Sequence, residues 1–110
     1  MLALIKHPGS PAERIELPED DGKSRVQLRA LQKLVGGYVE IAVRLRDAVI
    51  LCDEEGKMKP ERRLHNFCRP TDRDEIVGTV IVVAEKPSID GILWIGLTDA
   101  QATRIAALLD

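Results

Sequence analysis

Residues 75–85 read EIVGTVIVVAE, and the β-branched run Ile76, Val77, Val80, Ile81, Val82 and Val83 within them is the strongest strand signal in the chain. Branching at Cβ stiffens χ1 and suits a pleated, buried setting, so this stretch predicts a strand in the centre of a sheet. Downstream, Lys86-Pro87-Ser88-Ile89-Asp90-Gly91 reads as a loop, and residues 92–95 as a final strand that carries Trp94. Upstream, residues 38–44 alternate with Val39, Ile41 and Val43 on one face, and residues 48–52 form a second apolar run. Asp53-Glu54-Glu55-Gly56 is a turn signal, after which residues 57–59 begin a return strand. Residues 60–74 show no sustained period of 2 or 3.6.

The start of the chain supplies a hairpin. Residues 2–6 are a short buried strand that ends at His7-Pro8-Gly9-Ser10-Pro11, whose prolines and glycine cannot continue a ladder. In residues 13–17, Ile15 and Leu17 share one face and Arg14 and Glu16 the other. Two helices complete the pattern. Ser24 and Gln27 have capping-box spacing ahead of Leu28, Leu31, Leu34 and Val35, and Gly36 supplies the left-handed stop with Gly37 freeing the chain to turn. Thr98 and Gln101 form a second box, followed by an apolar stripe of Ala102, Ile105, Ala106 and Leu109. The order β-β-α-β-β-(β)-loop-β-β-α predicts an α+β fold: a mainly antiparallel sheet of five to seven strands with two helices packed on one face.

The 110 residues fit a single domain, 1–110. Hydrophobic residues make up 45% and charged residues of mixed sign 31%, as in a folded globule, whereas the 3% of aromatics leaves no stacking platform. A formal charge of -2 gives no global attraction to nucleic acid or an anionic membrane, so any polyanion site has to be local. Two cysteines, Cys52 and Cys68, make no disulfide framework, which points to a reducing compartment and the cytoplasm. Neither the apolar run at 1–5 nor that at 76–84 is long enough for a signal sequence or a membrane span.

Residues 34–40 read LVGGYVE and residues 53–57 read DEEGK. The chain resembles the phage- and plasmid-borne small proteins of the domain of unknown function 3846 family, whose hallmarks are such a helix end, a following strand and an acidic NEEGK-like turn. A later VGT-like strand matches Val77-Gly78-Thr79. Asp53 stands where the family usually has Asn, and residues 60–66, PERRLHN, replace its usual Leu-Pro-x-Asn-Arg stretch. The resemblance implies residence on a mobile genetic element and implies no particular activity.

Chemistry is sparse. Gly36-Gly37 lies at a helix C-terminus, where the dipole is negative, so a helix stop explains it better than a phosphate cradle does. Asp53, Glu54 and Glu55 lack the alternating ligands of a calcium loop. Cys52, His65, Cys68 and His7 contain no C-x-x-C pair, and Cys52 ends an apolar strand, so neither a metal site nor a Cys-His nucleophile is predicted, and no cofactor is expected. No nucleophile elbow, P-loop or dinucleotide fingerprint is present, and the chain reads as a non-enzyme.

The exception is residues 57–73. Lys57, Lys59, Arg62, Arg63, Arg69 and Arg73 stand against Glu61 and Asp72, a local charge of +4. Arginines fork onto phosphates or carboxylates, and Arg62, Arg63, His65, Asn66, Phe67 and Arg69 form the expected binding set. The leading expectation is a binding protein of a mobile element that engages an anionic partner, whether an acidic protein surface, a nucleotide or a nucleic acid. An alternative is a small-molecule or nucleotide-handling enzyme or sequestering protein with a cleft beside Gly36, Gly37, Tyr38, Asp53, Glu54 and Glu55. A third is a structural homodimer formed through the edge of the last strand around Trp94.

Overall fold

The computed structural model describes residues 1–55, 76, 78–89 and 91–110. Along the chain these form β1 (Leu2–Lys6), β2 (Glu13–Glu16), α1 (Val26–Val35), β3 (Val39–Arg44), β4 (Val49–Asp53), β5 (Val80–Ser88), β6 (Gly91–Ile95) and α2 (Asp99–Leu109). All pairings are antiparallel, in the order β2-β1-β5-β4-β3, with β6 paired to the second half of β5. The first half of β5 is central, as its β-branched run predicts: Val82 lies opposite Leu4 of β1 on one side and Ile50 of β4 on the other.

Side chains alternate across this sheet and bury two separate clusters. Val80, Val82 and Ala84 join Leu4, Ile50 and Cys52 against Ala102, Ile105 and Leu109 of α2. Ile81 and Val83 join Ala3, Ile5, Val49 and Leu51 against Leu31 and Val35 of α1. The helices therefore cover opposite faces, and the expectation that both pack on one face is corrected to a three-layer arrangement within the α+β class. The cause lies in β4 and β5: neither Val49-Ile50-Leu51-Cys52 nor Val80-Ile81-Val82-Val83-Ala84 has a polar side to present to water. Each fully buried Leu, Ile or Val among them contributes about 1.5–3 kcal/mol over exposure, so leaving one face bare would forfeit several such terms.

Both ends of β5 differ from the sequence expectation. Gly78 has φ 86°, which breaks extended backbone, and the strand starts at Val80 and not at 75. Of the stretch 86–91, expected as a loop, Lys86, Pro87, Ser88 and Gly91 lie within the ladder, with Lys86 opposite Leu93, Pro87 opposite Ile92 and Ser88 opposite Gly91. Ser88 and Gly91 flank a two-residue connection and so form a hydrogen-bonded pair, which makes Pro87 and Ile92 a non-hydrogen-bonded pair. Pro87 therefore costs β6 no ladder bond.

The helix starts also separate motif from outcome. Thr98 Oγ1 accepts from Gln101 N at 3.1 Å while Gln101 Oε1 accepts from Thr98 N at 2.8 Å, the complete box the sequence predicts. The matching Ser24–Gln27 box does not form, and α1 has no side-chain cap. Asp21 accepts instead from the Ser24 and Lys23 amides and the Ser24 hydroxyl, contacts that hold its carboxyl below the usual carboxylate range. Gln27 is buried, and its Nε2 donates to the carbonyls of Pro18 at 3.3 Å and Trp94 at 3.1 Å.

Polar contacts fasten α2 to the sheet. Arg14 of β2 donates to Asp99 and Thr103, and Lys6 of β1 donates to Ser10 O and Asp110. On the β3–β4 turn, Asp47 accepts from Gln101 at 3.0 Å and from Arg104, which together hold its carboxyl below the ordinary value of 3.8. A depressed folded-state value means stability that is full above the unfolded value and lost as pH falls through the folded one. Asp47→Asn should thus lower stability at pH 7 by about 0.2–1 kcal/mol, the range for partly exposed ion pairs. Thermal melts of variant and wild type should converge once pH drops well below about 3.8. A difference that persists unchanged in acid would assign the effect to something other than the charge.

Candidate functional site

The β3–β4 pairing sets Val39 opposite Asp53, which brings the helix stop and the acidic turn to one end of the sheet. Gly36 has φ 84°, and the Gly36 and Gly37 amides both donate to Gln32 O, at 2.8 and 3.1 Å. The Gly37 bond is the 6→1 bond of a Schellman stop and the Gly36 bond the 5→1 bond of an αL stop, and they engage the amides that a phosphate would need. Tyr38 follows with its side chain 66% exposed, and its carbonyl accepts from Glu54 N at 2.7 Å.

Asp53, buried at the end of β4, accepts from Glu55 N at 3.0 Å and so shapes its own turn. Glu40 points to Cys52, whose Sγ donates to Glu40 Oε1 at 3.8 Å. An open depression of about 340 Å³ lies between these elements, lined by Gln32, Gly37, Tyr38 and Glu55. Of the six cleft residues expected from sequence, Gly37, Tyr38 and Glu55 line it, whereas Gly36, Asp53 and Glu54 build the turns beside it. Gln32 was not anticipated, and its place one turn before Gly36-Gly37 is the only sequence signal for it. The lining offers a phenol, an amide and a carboxylate, which suit hydrogen bonding to a polar or cationic group and disfavour a phosphate.

Elsewhere, His7 Nδ1 lies 2.9 Å from Thr79 Oγ1. Among the described residues no group of three or more His, Cys, Asp or Glu side chains could hold a metal ion, and no helix is long and apolar enough to cross a membrane. The expected binding set Arg62, Arg63, His65, Asn66, Phe67 and Arg69 lies outside the described residues, as do Cys68 and the return strand expected at 57–59. A second hollow, of about 220 Å³, runs beside β6 and is lined by Met1, Glu19, Asp20, Leu93, Trp94, Ile95 and Gly96.

A family model described as Domain of unknown function (DUF3846) matches residues 1–110, and the chain belongs to that family. No curated protein and no solved structure matches it.

Proposed function

We propose that this DUF3846 chain is a non-enzymatic binding protein of a mobile genetic element, and that it engages an anionic partner through residues 57–73. The observation that carries this reading is charge. Six basic and two acidic residues in that stretch leave ten basic against sixteen acidic elsewhere, so +4 is concentrated in a chain that is otherwise at -6. A local field of that size attracts a polyanion to one place on a molecule that otherwise repels it. The described residues that flank the stretch add support. Glu55 follows β4 and Ile76 precedes β5, and because β4 and β5 are antiparallel neighbours, the end of β4 and the start of β5 lie at the sheet end that carries Tyr38 and Asp53.

Arg62 and Arg63 are the adjacent pair suited to forked contacts with phosphate or carboxylate. The test is a salt series with three labelled probes, ATP, a polyglutamate peptide and a short DNA duplex, on wild type and on Arg62→Ala with Arg63→Ala. At least one probe should bind at low salt and weaken steadily as salt rises. The double variant should lose about tenfold in affinity, or about 1.4 kcal/mol, and show a shallower slope. Equal affinity and slope in the two proteins would remove this stretch from the mechanism.

A further inference from the structure

Among the described residues β2, β3, β6 and the second half of β5 leave a sheet edge open. Three of them are blunted, that of β5 by Glu85, Lys86 and Pro87. β2 carries Glu13, Arg14 and Glu16, and β3 carries Glu40 and Arg44 together with a register shift between Ile41 and Val43. β6, Gly91-Ile92-Leu93-Trp94-Ile95, has no charge, no proline and an unbroken register with β5. Ile92 is 57% exposed.

The pairing parity fixes which backbone groups face outward. Gly91, Leu93 and Ile95 bond to β5, so the N–H and C=O groups of Ile92 and Trp94 point away from it. The bond from Gln27 Nε2 to Trp94 O agrees with this direction. The Ile92 N–H, Ile92 C=O and Trp94 N–H remain, and none has a partner among the described residues. Beside them runs the hollow of about 220 Å³, walled on its far side by the exposed Glu19 and Asp20. Asp20 uses one oxygen to accept from Gly22 N, and Glu19 makes no hydrogen bond or ion pair among the described residues.

We propose that the outer edge of β6 is a strand-addition site for an extended cationic peptide segment, whose backbone pairs with Ile92 and Trp94 while a basic side chain meets Glu19 and Asp20. Main-chain bonds supply affinity in this mode, and side-chain pockets and charge supply selection. The acidic wall favours a cationic partner over a second copy, because a two-fold self-pairing about β6 would bring two Glu19–Asp20 walls and two net-negative chains together. This surface does not depend on residues 57–73, and it sits at the opposite end of β5 from their two anchors.

The experiment titrates full-length protein with labelled KVKVKV and EVEVEV hexapeptides, read by fluorescence anisotropy and by amide shifts in 15N spectra. The cationic peptide should bind and shift Ile92, Trp94, Glu19 and Asp20, and the acidic one should act on these four amides at least tenfold more weakly, whatever it does at residues 57–73. Glu19→Lys with Asp20→Asn, the asparagine keeping the acceptor for Gly22, should weaken the cationic peptide about tenfold. Ile92→Pro removes an N–H that β5 does not use and should abolish binding. N-methylation of alternate amides in the peptide should do the same with the protein untouched, which covers the case of a variant that fails to fold. Equal effects of both peptides on the β6 amides, indifference of the cationic peptide to N-methylation, or cationic-peptide shifts away from β6 would overturn the proposal. A wild type that is dimeric by sedimentation and becomes monomeric as Ile92→Pro would overturn it in favour of self-pairing.

Discussion

Val82→Asp and Val83→Asp are each expected to abolish cooperative folding. Val82 faces α2 and Val83 faces α1, and both are fully buried. A carboxylate at either position has no partner in an apolar cluster, and its desolvation costs on the order of 4–5 kcal/mol or more. That is comparable to the roughly 5–15 kcal/mol by which domains of this size are stable. The pair is informative because the two side chains point in opposite directions from adjacent residues. With both helices on one face, one aspartate would face water and be tolerated. Circular dichroism and urea titration should find neither variant folded, and a native-like transition in one of them would contradict the three-layer arrangement.

Ile105→Ala should be the most damaging truncation in α2, at about 2–5 kcal/mol, because a fully buried side chain leaves a cavity between α2 and β5. Leu108, three residues on and 40% exposed, is the internal control. Its truncation should cost well under half as much, since part of its surface already meets solvent. Urea midpoints report the difference if the slopes stay equal. Equal losses at the two positions would mean that α2 does not dock through Ala102, Ile105 and Leu109.

The paired variants bear on what could be read from residues alone. The central position of β5 was legible, because Val80-Ile81-Val82-Val83 admits little else. The layering was legible in principle and misread: unbroken apolar runs in β4 and β5 signal burial on both faces, whereas a single helical layer would suit strands that alternate. Local motifs carried further where nothing competed with them. Thr98 and Gln101 form their box, but Ser24 is captured by Asp21, and Gln27 is drawn inward to the Pro18 and Trp94 carbonyls. Pro87 and Gly91 read as breakers, since their compatibility with a ladder depends on pairing parity, which a sequence does not display.

The grouping of Gly37, Tyr38 and Glu55 followed from treating β3 and β4 as neighbours. The hollow beside β6 depends on the path of residues 18–20 past a strand more than 70 positions away, and no local pattern encodes that. The anionic-partner reading still stands on charge.

Its most direct test is to follow the amides of 15N-labelled protein while adding polyglutamate at low salt. The account predicts shifts in Arg62, Arg63 and Arg69 and in the anchoring residues Glu55 and Ile76, all reversed by added salt, with the β6 amides unmoved. Shifts confined to other parts of the molecule, or none at all with any of the three anionic probes, would contradict it.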